Sequence, residues 1–521
     1  MKKIKLYLVI ALSFAGFVSC NDWLTLHPDN AQTTDQYWQS KQDVESVIAA
    51  GYVRFRECVK DHSLFVWGEM RGEMISITNA TLNDDIKAAQ KIRNLDIETT
   101  NTFVSWAKLY RVIGLANSVL KYAPAVRELD PSFSLAEMNS YFSEAYFLRA
   151  LSYFYLVRTF KDVPLILEPY VEDSEQFEIP KSPEEDVLAQ IIADLKRALE
   201  LPPREFYTET DETNPVNTKG RATKWSIYAL LADVYLWRGD EALNDYESVI
   251  SACQQVRNYE VENGGKLTLL GTSEWFDNYY PGNSAESIFE VQFDYNKQQS
   301  NSFVNWFAAL IGASRTANNQ QVYGISESAV LLFYTSLPLG DNRGLGGSYD
   351  PYGGVWKYSG FSYYYVDNAV RSNSNQSDQN FIIYRLADIY LIQAEAYIMQ
   401  GNYSAAIELI ADIRRRAGIQ EVLSTYSTEL EMLDLLLNEK AREFIGEGKR
   451  WFDLLRVARR HNYQYKEYMI EHSLEALSPG NVPMARQKLA DPYAHYLPIH
   501  KDELMANKLL DQNPYYENLG N

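Results

Sequence analysis

The chain has 521 residues, 46% of them apolar, enough to fill a substantial core, so global disorder is excluded. Its 49 basic and 69 acidic residues leave a formal net charge of −20, which repels phosphate backbones and anionic headgroups, so nucleic acid is not an expected partner. Three cysteines (Cys20, Cys58 and Cys253), with no CxxC, HExxH or Cys/His cluster, supply neither a disulfide framework nor a metal site, and no cofactor is expected.

At the N-terminus, Lys2, Lys3 and Lys5 precede an uncharged stretch from Leu6 to Val18, and Ser19-Cys20 follows directly. A stretch this short is a signal-peptide core, because a spanning helix needs roughly 20 apolar residues. A small residue immediately before cysteine at this point resembles the lipobox of bacterial lipoproteins, with Phe17 where leucine is more usual. Residues 1–19 are therefore read as a signal peptide and Cys20 as the acylated first residue of the mature protein. At about 0.8 kcal/mol per buried methylene, several acyl chains hold a large domain on a membrane without a spanning helix.

Further along, one spacing recurs. Tyr146, Ala150, Tyr153 and Val157 fall at i, i+4, i+7 and i+11; Tyr228, Ala232, Tyr235 and Gly239 repeat it, as do Tyr390, Ala394, Tyr397 and Gly401. Leu437, Ala441, Phe444 and Gly448 form a looser copy. This is one face of an α-helix with a small residue where a neighbour packs close. After Gly401 a second amphipathic helix follows, lined by Tyr403, Ala406, Ile407, Ile410 and Ile413. The pattern is that of tetratricopeptide helix pairs, separated here by long insertions rather than repeated at a fixed interval. A mainly α fold is predicted, with tetratricopeptide-like pairs over about 40–262 and 381–460.

Between the second and third copies, from about Gly264 to Asn380, periodicity weakens and Gly, Asn, Ser and aromatics accumulate, among them Trp275, Trp306, Trp356 and Tyr358. Long loops of this kind commonly carry function. The chain as a whole holds 38 tyrosines beside 10 tryptophans and 22 phenylalanines, a supply suited both to helix contacts and to recognition. A further irregular stretch runs from about 478 to 521.

Several stretches, in order along nearly the whole chain, resemble the SusD/RagB-like outer-membrane lipoproteins of the Bacteroidetes. They are Ser19-Cys20-Asn21-Asp22-Trp23-Leu24 with Pro28; Gly220-Arg221-Ala222-Thr223-Lys224; Tyr384-Arg385-Leu386-Ala387-Asp388 running into Gln393-Ala394-Glu395-Ala396; Glu439-Lys440-Ala441-Arg442-Glu443 continued by Glu447-Gly448-Lys449-Arg450-Trp451-Phe452-Asp453-Leu454; and Leu497-Pro498-Ile499, Glu503-Leu504 and Gln512-Asn513-Pro514. Gly446 stands where the family usually has a bulkier residue. The resemblance implies a single SusD-like domain over 20–521, anchored in the outer membrane and facing the cell exterior. It also implies a glycan ligand and a SusC-like, TonB-dependent β-barrel transporter as partner, with a peptide-binding, RagB-like role as the alternative. In the family the ligand site draws on the N-terminal region and the long insertion. Carried onto this chain, that points to Trp67 and Arg71 in Trp67-Gly68-Glu69-Met70-Arg71, and to Trp275, Trp306, Trp356 and Tyr358.

The cluster Arg442, Glu443, Glu447, Arg450, Trp451 and Asp453 offers paired carboxylates of the kind acid–base catalysis uses. Charges at i, i+3 and i+4 on helices more often form ion pairs between neighbours, and that structural reading is preferred here. A secreted glycoside hydrolase is the competing class. It requires a carboxylate pair set apart by motif, which the sequence does not show, so no enzymatic activity is expected.

Overall fold

The computed structural model describes residues 34–77, 83–170, 178–211, 213–262, 264–307, 322–360, 362, 377–424 and 426–517. Cys20 and the leader before it lie outside these residues, as do Phe361 and Tyr363–Tyr365 of the aromatic insertion.

The principal helices are α1 (Lys41–Lys60), α2 (Ser63–Glu69), α3 (Ala107–Leu129), α4 (Leu135–Phe160), α5 (Glu184–Glu200), α6 (Lys224–Arg238), α7 (Asp245–Glu262), α8 (Leu386–Met399), α9 (Tyr403–Arg416), α10 (Glu429–Phe444) and α11 (Arg450–Ala458). Each recurrent motif lies on a helix. Ala150, Tyr153, Ala232, Tyr235, Tyr390, Ala394, Ala441 and Phe444 are all buried, so the repeating face is the packed face. Gly239 ends α6 with φ of 57°, a left-handed conformation that a side chain would strain. Capping boxes open α4 (Ser134 with Glu137) and α10 (Thr428 with Glu431).

Consecutive helices pack in pairs, α4 with α5, α6 with α7 and α8 with α9, while α1 packs on α3 and α3 on α4. Contact between α7 and α8 closes the stack across the insertion. The insertion leaves and rejoins the helices through two short antiparallel strands, β2 (Ser287–Val291) and β4 (Phe381–Arg385), both fully buried. A second pair, β1 (Ile75–Ile77) and β3 (Tyr323–Ile325), ties the N-terminal region to the insertion. The segment after residue 478 folds back over the first helices: Leu497 N–H donates to the Thr159 carbonyl at 2.9 Å and Lys501 N–H to the Thr99 carbonyl at 3.0 Å. A large apolar core runs through all of these parts, and a smaller one lies between α1, α3 and α4.

Buried polar contacts lock the pairs. Arg149 on α4 forms a bidentate ion pair with Asp194 on α5 (2.8 and 2.7 Å) and donates to Asn117 on α3. In Gly220-Arg221-Ala222-Thr223-Lys224 the first four residues have packing duties. A Cβ at Gly220 would overlap the Gln292 side chain. Arg221 makes a bidentate pair with Glu144, Ala222 N–H donates to the Tyr52 hydroxyl, and Thr223 caps α6.

Candidate functional site

The charged motif residues converge in the interior. Arg385, at the junction of β4 and α8, donates to Glu286 and Glu443 at 2.6 Å each and to Glu447 at 3.1 Å. Arg343 from the insertion reaches Asp341, Glu439 and Glu443 at 2.6–2.9 Å, and Arg416 at the end of α9 pairs with Glu286 and Glu443. Lys357 places its ammonium 2.7 Å from Glu447 and also donates to the Glu443 and Ile445 carbonyls. Counted with Arg414 on Glu439, the lattice matches the cations Arg343, Lys357, Arg385, Arg414 and Arg416 against the carboxylates of Glu286, Asp341, Glu439, Glu443 and Glu447. Alongside it, Arg450 grips Glu73 at 2.9 Å, and Asp453 is shared by Lys440 and Arg456 at 2.6 Å each.

Burial alone would make Glu443, Glu447 and Asp453 weaker acids, but the surrounding arginines and lysines outweigh it. All three carboxyls are held below the usual carboxylate range. Lys357 is also lowered, to about 8, but chiefly by burial, which disfavours its charged form. A carboxylate held ionised in the interior by several cations is poorly placed to deliver or take a proton from a ligand. The cluster knits the helical stack, the insertion and the N-terminal region together, which is the structural reading of these residues.

The six sequence-predicted contact residues fall into two groups that do not meet at one surface. Trp67 is 2% exposed, packs edge-on against Phe160, and its Nε1–H donates to the Phe103 carbonyl at 2.7 Å. Arg71 lies over the Trp451 ring at 4.2 Å and donates to the His495 carbonyl. Between them, Glu69 accepts the N–H groups of Gly448 and Lys449 at 3.0 and 3.2 Å; burial pushes its carboxyl up to about 7, against the pull of these donors. The segment Trp67–Arg71 is thus the seat of the 446–451 turn.

The insertion residues form a file of rings. Trp275 meets Tyr279 (5.1 Å), Tyr279 meets Tyr358 (5.5 Å), and Tyr358 stacks on Phe307 (5.3 Å, 6°). Phe307 meets Tyr323, which meets Trp306, and Trp306 rests on His62 at 3.8 Å. The Tyr358 hydroxyl donates to the Gly446 carbonyl at 3.1 Å. Trp275, Trp356 and Tyr358 are buried, whereas Trp306 is only partly covered. Of the residues expected to contact a ligand, Trp67, Arg71, Trp275, Trp356 and Tyr358 lie in the interior. Trp306, at the outer end of the file, is the one of the six that reaches the surface.

A group that the sequence reading passed over is accessible instead. Phe206, 62% exposed, stands at the mouth of a cleft of about 670 Å³ that Trp225 and Tyr259 also line. Its signal in the sequence was an aromatic pair, Phe206-Tyr207, set among Glu, Thr and Pro in a segment without helical periodicity.

Tetratricopeptide-like helix pairs, an aromatic-rich insertion anchored by buried ion pairs and a clasping C-terminal segment define an α-helical scaffold protein. Comparison with known families narrows this class. A family model described as "SusD family" matches residues 239–516, and one described as "Starch-binding associating with outer membrane" matches residues 22–236. The chain belongs to the SusD family, and with it to proteins associated with the outer membrane. It is 24% identical to SusD-like protein P38 of Formosa agariphila, over 88% of this chain and 92% of that one. It is 30% identical to the starch-binding protein SusD of Bacteroides thetaiotaomicron, over 30% of this chain and 25% of that one. Among solved structures, a SusD superfamily protein of B. thetaiotaomicron superposes with a TM-score of 0.70 at 20% identity, covering 92% of this chain and 99% of that one. B. fragilis NanU superposes with a TM-score of 0.68 at 20% identity, covering 95% and 100%.

Proposed function

We propose that this protein is a non-catalytic lipoprotein, anchored through Cys20, that captures an oligo- or polysaccharide at the cell surface and passes it to a SusC-like, TonB-dependent β-barrel. The observation that carries the reading is the division between the two kinds of residue that a glycan enzyme would combine. The motif carboxylates are ion-paired in the interior, while an aromatic file runs outward to Trp306. A sugar ring has an apolar C–H face and a rim of hydroxyls, so a flat ring with polar neighbours binds it by desolvation and hydrogen bonding without activating any bond. Trp306 takes that contact, Trp275 and Tyr358 pack behind it within the insertion, and Trp67 and Arg71 seat the 446–451 turn.

Affinity electrophoresis of the purified mature protein through gels containing neutral and acidic polysaccharides tests the reading. Retardation by at least one glycan, weakened in Trp306→Ala, is expected. Retention of peptides and of no glycan would favour the RagB-like alternative, and release of reducing ends would overturn non-catalytic capture.

A further inference from the structure

The cleft beside Phe206 is built from three parts of the chain, and of the family motifs only Thr223 reaches its lining. One wall comes from residues 205–209 and 213–218, which fold against each other. The Glu209 carboxylate accepts N–H groups from Asn217 (3.1 Å) and Thr218 (2.6 Å), and Tyr207 N–H donates to the Thr218 hydroxyl at 2.9 Å. The next residue to Phe206 is locked as well, because the Tyr207 hydroxyl donates to the Ala222 carbonyl at 2.9 Å and Arg204 and Arg221 cover its ring. Phe206 is therefore an exposed ring on a fixed support. The back of the cleft is a stacked pair, Trp225 on Tyr259, with centroids 3.9 Å apart and planes at 18°. The opposite wall begins at Asn283, whose amide donates across to Asn214 at 2.8 Å and so sets the width of the opening.

The charges at this cleft are already engaged. Glu205 pairs with Lys224 at 3.1 Å, Glu209 is taken up by backbone donors, and the Lys219 ammonium donates to the Ser287 carbonyl at 2.5 Å. Lys266 lies over the Phe206 ring at 5.5 Å, leaving the other face of that ring to a ligand. The lining therefore offers aromatic and aliphatic surface beside hydroxyl and amide groups such as Thr208 and Asn283, with the carboxylates and ammonium groups balanced. Its volume of about 670 Å³ accommodates a small ligand. We infer that this cleft is a second binding subsite, one that takes a neutral oligosaccharide with a sugar ring stacked on Phe206 and its hydroxyls turned to the polar rim. It shares no residue with the ring file that ends at Trp306. A glycan long enough to reach both subsites would gain avidity, because each raises the effective concentration of the chain at the other.

The inference rests on the capture reading, and titration calorimetry separates the two. The mature protein, Phe206→Ala and Trp306→Ala are each titrated with neutral oligosaccharides (malto-, cello-, xylo-, manno- and laminari-series) and with oligogalacturonate, the thermal midpoint of each variant serving as a control for folding. Phe206→Ala is expected to bind the recognised neutral series roughly five- to ten-fold more weakly while keeping the wild-type midpoint. Because Phe206 is exposed and makes little of the core, loss of the fold does not enter. Equal affinity of Phe206→Ala and wild type, with binding lost only in Trp306→Ala, overturns the second subsite and leaves capture standing. Recognition of oligogalacturonate alone overturns the neutral assignment. Absence of binding to every glycan by the wild-type protein overturns capture, and the subsite with it.

Discussion

Replacing Arg385 by alanine strips Glu286, Glu443 and Glu447 of a shared partner in a site from which water is excluded. Breaking one side of a buried ion pair typically costs about 3–5 kcal/mol, because the remaining charge stays buried. Arg385→Ala is expected to lose stability on that scale in denaturant unfolding, while the fraction that remains folded binds glycan as wild type does. A selective loss of binding at unchanged stability would show instead that the lattice contacts ligand. Acidity offers a second residue-level test. The carboxyl of Glu69 rises from 4.5 to about 7 on folding, so its contribution is fully present below pH 4.5 and is lost as pH climbs through 7. Glu443, Glu447 and Asp453 are depressed, so their contribution is present above the ordinary carboxylate range and is lost on acidification. Denaturant midpoints of Glu69→Gln, measured from pH 4.5 to 8, are expected to lack a decline that wild type shows toward high pH; parallel curves for the two proteins would refute the assignment.

At the scale of elements, α2 and the 446–451 turn meet at two glycines. A Cβ at Gly68 would overlap the Gly448 carbonyl oxygen, and Gly448 itself has φ of 71°. Overpacking of this kind costs about 1–3 kcal/mol, and here the obstacle is backbone that cannot rotate away. Gly68→Ala is therefore expected to lower the thermal midpoint by several degrees and to loosen the seat of the turn, seen as faster amide exchange at Gly448 and Lys449. An unchanged midpoint would mean that α2 can shift freely. Helices such as α4, α6, α8 and α10 were legible in the sequence because a buried helical face repeats at a fixed period, and Tyr, Ala and Gly mark it. The aromatics of the insertion were not, since a loop imposes no period and an inward Trp356 reads the same as an outward Trp306. The inward turn of Trp67 was hidden for a related reason: it sits beside a ligand-like string of Glu and Arg, yet Glu69 accepts from the Gly448 N–H and Arg71 donates to the His495 carbonyl, both in distant segments. The charged motifs announced the family so clearly because an interior lattice tolerates little change in geometry, and that same placement keeps them from recording the identity of a ligand.

For the whole molecule, a shell of helix pairs fixes an aromatic insertion in place and leaves selected rings at the surface. Among the described residues no helix is long and apolar enough to cross a membrane; the proposal assigns retention at the outer membrane to acyl chains on Cys20. Cys20→Ala is expected to move the protein from the membrane pellet to the soluble fraction of cells, with glycan affinity unaltered; continued pelleting would point to another anchor. The most direct measurement is prolonged incubation of the pure mature protein with a polysaccharide that retards it in affinity gels, followed by size analysis of the glycan. A size distribution identical to that of the untreated polysaccharide is expected, with the retardation preserved in Glu443→Gln and Glu447→Gln. Shortening of the glycan that disappears in either variant would contradict the reading at its centre.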